Sequence, residues 1–123
     1  MARNTITALS DVAVSTCSGS GPTYTANYTG DAVTTVQVGD WVEVKKREAG
    51  DGGSSTILST YTYQVTGRTD NDTLTLKYIS DTDSDGDDSP CDLPSGTGSS
   101  GSPNKAPHTF YRDLGGAFVM FVE

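Results

Sequence analysis

The sequence predicts an all-β domain, a small antiparallel β-barrel or β-sandwich. Three observations carry that prediction. Apolar and polar residues alternate at period two through much of the middle of the chain, which reads almost only as strands. Clusters of Gly, Asp and Asn punctuate those segments as turns. Thr, Ser and Gly supply 46 of the 123 residues and apolar types only 33%. That composition can fill one modest core and no more.

The elements follow in order. Residues 11–16 (DVAVST) alternate, and 24–29 (YTANYT) are polar but rich in β-formers. Residues 33–38 (VTTVQV) read as a strand leading through Gly39-Asp40 into 41–48 (WVEVKKRE). There Val42 and Val44 share one face, while Trp41, Glu43 and Lys45 share the other. Residues 49–55 (AGDGGSS) form a Gly-rich turn. In 56–69, Tyr61, Tyr63 and Val65 fall on one face and Thr62, Gln64 and Thr66 on the opposite one. After a tight turn at 70–72 (DND), residues 73–80 return with Leu74, Leu76 and Tyr78 on one face, so these two segments are expected to pair as a hairpin.

From 81 to 107 the periodicity stops. The stretch is first acidic and then LPSGTGSSGSPNKAP, which in isolation reads as a flexible linker. Because HTFYRD and GGAFVMFVE follow as closing strands, it becomes a long polar insertion loop inside a single β domain spanning residues 1–123. The segment AFVMFVE lacks alternation. Phe118, Met120 and Phe121 are its largest side chains, and burying each contributes about 1.5–3 kcal/mol. They are expected to anchor the chain, either within the domain or at an interface with a partner.

The net charge is -8, but six aspartates lie between positions 81 and 92. Without them ten acids face eight bases, so the acidity is local. Nucleic acid is not an expected partner, because no basic stripe is present to neutralise phosphates and the cations of VKKRE alternate faces on a strand. No run approaches a transmembrane length, and MARNTITALS lacks the apolar core of a signal peptide. The expectation is a chain made in the cytoplasm and kept there until release.

Residues 81–92 (DTDSDGDDSPCD) have the spacing of a calcium loop, with Asp81, Asp83 and Asp85 at positions 1, 3 and 5, Gly86 at 6, Asp87 at 7 and Asp92 at 12. Alternate carboxylates on a tight turn can supply calcium's six to eight oxygens. The stretch departs from that pattern at Asp88, Pro90 and Cys91, and no helices flank it. The alternative is a solvated acidic tip, and both readings stand at this level. No cofactor other than calcium is indicated.

Catalysis is not expected. His108 is the sole histidine and reads as a loop residue, and no carboxylate lies in an apolar setting that would raise its pKa. The sequons at Asn27 and Asn71 are chance-level matches in so Thr-rich a chain. Cys17 and Cys91, the only thiols, sit in polar turn-like segments (STCSGSG, SPCDLP) that do not look like core. A bridge between them would close a long loop and add up to about 4 kcal/mol; the sequence leaves open whether they are bridged or free.

The stretch VGDWVEV resembles the first strand of SH3-like barrels, placing an SH3-like element within 33–80. The whole chain, a Thr/Ser/Gly-rich β-protein with a long polar loop, resembles small virion proteins of tailed bacteriophages. The resemblance is one of style and covers about half the chain. It implies a non-enzymatic virion protein that binds and stabilises the capsid as a head decoration (cement) protein. The partners would be the major capsid protein, other virion proteins or further copies of itself. A neck or tail component, or a calcium-binding extracellular β module, are the alternatives.

Overall fold

The computed structural model describes residues 3–5, 9–47, 56–83, 86–99 and 102–113. Asp85, the turn at 49–55 and the C-terminal Phe118, Met120 and Phe121 lie outside the described residues.

Alternation becomes strands where the sequence shows it most clearly. Among the described residues the strands are β1 (Arg3–Thr5), β2 (Val14–Ser18), β3 (Thr23–Tyr28), β4 (Trp41–Arg47), β5 (Ile57–Asp70), β6 (Thr73–Asp81), β7 (Pro94–Ser99), β8 (Ser102–Lys105) and β9 (His108–Asp113). Seven of them form one antiparallel sheet in the order β1-β9-β4-β5-β6-β3-β2, and β7 and β8 pair separately. The expected hairpin is β5–β6, turning at Asn71 and Asp72. There the Asp70 carboxylate accepts from the Asp72 amide, an Asx-type turn that suits a DND sequence.

The sheet is open but strongly curled. Tyr28 on β3 packs edge-on against Phe110 on β9, ring centroids 5.7 Å apart, although three strands separate β3 from β9 in the sheet order. The chain just before β2 completes the curl, because Val12 exchanges backbone hydrogen bonds with His108 in both directions. The interior is lined by the inward faces that period two assigns: Val42 and Val44, Tyr61, Tyr63 and Val65, Leu74 and Leu76, each with at most 1% exposure.

Two segments stop the ends. At the end near the β5–β6 turn lies 29–40, where the sequence reading of a strand over 33–38 is corrected. Residues 32–35 and 38–39 are turns. Val33 and Val36 point inward, three residues apart, with the Val36 amide donating to the Val33 carbonyl, while Val38 is 63% exposed. The Thr-rich composition resembled a strand, but the apolar spacing is that of a turn. Asp40, almost buried, fastens this end: both its oxygens accept from the Arg112 guanidinium at 2.9 Å, and one also takes the Gln37 amide at 2.8 Å.

At the opposite end lies 86–93, with Pro90, Cys91 and Leu93 buried. The stretch 81–107, expected as a long polar insertion loop, has structure of its own. Its first part packs against the core, and its second forms the β7–β8 hairpin, whose Gly and Ser residues offered no large side chains for a periodic signal.

Candidate functional site

The acidic stretch is a flap over one end of the curled sheet, held by tyrosines. β3, β5 and β6 deliver Tyr24, Tyr61, Tyr63 and Tyr78 to that end, with ring centroids of neighbouring pairs 6.0–6.5 Å apart. Their hydroxyls reach up to the flap. Tyr24 donates to the Asp87 carboxylate at 2.8 Å, Tyr61 to that of Asp88 at 2.7 Å, and Tyr78 to that of Asp81 at 2.5 Å. Tyr63 donates to the Asp88 carbonyl at 2.7 Å. Asp81 also accepts the amides of Asp83 and Gly86, folding the flap's start onto itself. At Gly21, whose φ is +58°, a Cβ would collide with the Asp87 carboxylate and the Tyr24 hydroxyl, so this close approach requires glycine.

Burial and these bonds together raise the pKa of two ring hydroxyls. Tyr24 is pushed up to about 12 by burial and then by the Asp87 carboxylate it bonds; Tyr78 is pushed up to about 12 first by its bond to Asp81 and then by burial. A folded-state pKa above the unfolded value of about 10 means stability present below pH 10 and lost as the pH rises toward 12. An ultraviolet titration is therefore expected to show tyrosines ionising well above pH 10 in the folded protein, together with release of the flap. Ionisation of all six tyrosines near pH 10 while the protein stays folded would contradict these contacts.

Beneath the flap sits His108. The sequence reading of a loop histidine is corrected: it opens β9 and is fully buried. The Pro90 carbonyl, 3.0 Å from Nε2, can only accept, so Nε2 carries the proton. Nδ1 then accepts from the Tyr28 hydroxyl at 2.8 Å. Burial lowers the imidazole pKa to about 4. The expectation that neither cysteine is a core thiol is corrected for Cys91, which is 3% exposed. Cys17 and Cys91 form a disulfide, with Cα atoms 5.6 Å apart, that ties the flap to β2.

Of the carboxylates read as calcium ligands, Asp81 and Asp87 accept tyrosine hydroxyls, Asp83 and Asp92 are exposed, and Asp85 lies outside the described residues. Among the described residues, no three His, Cys, Asp or Glu side chains converge on one point where a metal ion could sit.

A second feature is a groove of about 660 Å³ on the outside of the sheet, between the outer faces of β4 and β9 and the base of the β7–β8 hairpin. β4 contributes Glu43, Lys45 and Arg47, which alternate with the buried Val42 and Val44 and so share one face. β9 contributes Thr109 and Tyr111, opposite Glu43 and Trp41 in the ladder. Asp11 sits beside Thr109, its amide bonded to the Thr109 hydroxyl at 3.0 Å. Because β9 runs antiparallel to β4 with Val44 opposite His108, the residues before His108 lie toward Lys45 and Arg47. Lys105, Pro107 and Ser95 line the groove there. The groove is thus polarised, with Asp11 and Glu43 in one half and Lys45, Arg47 and Lys105 in the other.

Sequence reasoning missed both the tyrosine-held flap and the groove. The alternation of Glu43, Lys45 and Arg47 was visible in the sequence, but Lys105 joins them only through the hairpin. No family model matches this chain, and no curated protein or solved structure shows significant similarity to it.

Proposed function

We propose that this chain is a non-enzymatic structural protein of a tailed-bacteriophage particle, binding and stabilising the capsid as a head decoration (cement) protein. The observation that carries the reading is how the reactive side chains are used. His108 bonds through both ring nitrogens, the two cysteines are joined, and Asp81, Asp87 and Asp88 hold tyrosine hydroxyls. Groups that could serve chemistry instead fasten a small β-body, leaving its outer faces for contact. A bridge from flap to sheet also suits a protein that works in oxidising surroundings outside a cell.

The test is a quantitative mass-spectrometric inventory of purified particles of a phage encoding this chain. A cement protein is expected in copy number comparable to the major capsid protein and should be lost with loss of particle stability. A handful of copies per particle would point to the neck or tail instead, and absence from the particle would end the reading. If the chain is instead a calcium module, chelation should lower its melting temperature.

A further inference from the structure

We propose that the polarised groove between β4, β9 and the β7–β8 hairpin binds an extended peptide with segregated charge, carboxylates at one end and a cation at the other. The inference goes beyond the particle reading and does not depend on it.

Three features define the ligand. The first is length. Glu43 and Arg47 are four residues apart on one strand, about 14 Å at strand rise, which matches four or five residues of an extended chain. The groove's volume of about 660 Å³ lies in the range of peptide and small-ligand sites. The second is charge. Lys45 and Lys105 are exposed and form no ion pair among the described residues, so a carboxylate arriving at that half finds two available cations. Asp11 and Glu43 in the other half attract a cation and repel a second anion. The third is the neutral lining. Along the groove the Thr109 hydroxyl, which accepts the Asp11 amide, can still donate, the Tyr111 hydroxyl, which donates to Glu43 at 3.4 Å, can still accept, and the flank of Pro107 gives a peptide backbone an apolar wall. A free phosphate or sulfate needs only the cationic half, and a nucleic-acid strand would lay phosphates across Asp11 and Glu43. Only a ligand with charge of both signs, separated by several ångströms, satisfies both halves.

Fluorescence polarisation with synthetic pentapeptides tests this. The labelled probe carries two glutamates at one end and a lysine at the other, separated by threonines. Comparison peptides have the same composition with the charges interleaved, or glutamates only. The segregated peptide is expected to bind at least tenfold more tightly than either, and the preference should fade at high salt. Lys45→Gln with Lys105→Gln should reduce binding at least tenfold, and Asp11→Asn with Glu43→Gln should erase the preference over the all-glutamate peptide. Circular dichroism verifies that both variants fold. Equal binding of the segregated and interleaved peptides, no binding of either, or complete displacement by millimolar sulfate would overturn the proposal, the last by reducing the groove to a simple anion site. Because the protein is purified and the peptides synthetic, failure here leaves the particle inventory untouched, and failure there leaves this result standing.

Discussion

Replacing Cys17 and Cys91 together by serine is expected to lower the stability of the folded protein by about 4 kcal/mol. The bridge spans 74 residues of sequence, and in the chain-entropy model a loop of that size restricts the unfolded chain by about that amount. The corresponding fall in melting temperature is on the order of 15 °C. The loss should be felt first at the flap, since the bridge is its covalent tie to β2, while β4, β5 and β6 keep their ladders. Thermal unfolding of the oxidised protein, the reduced protein and the double-serine variant measures this. Reduced and serine forms should coincide and both lie well below the oxidised one. Identical melting of all three would show that the bridge adds nothing.

Mild acid should also destabilise the fold, and for a reason confined to one side chain. The unfolded chain takes up a proton on its histidine near pH 6.5, whereas folded His108 stays neutral down to about pH 4 because it is buried. Between those values the unfolded state binds more protons. Stability that is complete above pH 6.5 is therefore lost as the pH falls, by about 2 kcal/mol at pH 5 and about 3 kcal/mol in total. Urea unfolding at pH 7.5, 6 and 5 reads the loss before most carboxylates begin to titrate. His108→Gln should be less stable at every pH and flat across that interval. A wild-type protein equally stable at pH 7.5 and pH 5 would mean that His108 is not held neutral in the core.

The parts of the fold legible in the sequence are those where side-chain size alternates. Val42 and Val44, Tyr61 to Val65, and Leu74 to Tyr78 announce β4, β5 and β6 because one face of each is buried and the other is wet. Where burial comes from position rather than periodicity, the sequence is silent. Cys91 and Leu93 are covered because the flap lies across the sheet's end, and their neighbours Asp88 and Asp92 disguise them as surface. His108 lies on a period-two run, with Ala106 two residues before it and Phe110 two after, all fully buried, but a lone histidine between Pro107 and Thr109 does not read as an apolar position. The calcium-like spacing of the aspartates was real, but several of their oxygens meet tyrosines from distant strands. Tyr61 and Tyr63 were read on one face of their strand and Tyr78 on the apolar face of its own, while Tyr24 was given no face; that all four hydroxyls extend beyond the core to the flap depends on the curl of the sheet.

That curl also limits how copies of the protein can adhere to one another. A sheet border with unpaired backbone groups is a template for another strand, and a row of such groups invites aggregation. Among the described residues one border is β1, three residues long, and the other is β2, five residues long and bulged between Val14 and Thr16. Just upstream of β2, the chain turns its hydrogen bonds at Val12 inward to His108. The β7–β8 hairpin carries Pro94 and Pro103, which lack the N–H that a docking strand requires, and a further irregularity between Pro94 and Gly98. Molecules of this shape can be crowded to high local concentration with little tendency to zip together edge to edge, so their assembly is left to side chains on the faces, where it can be specific.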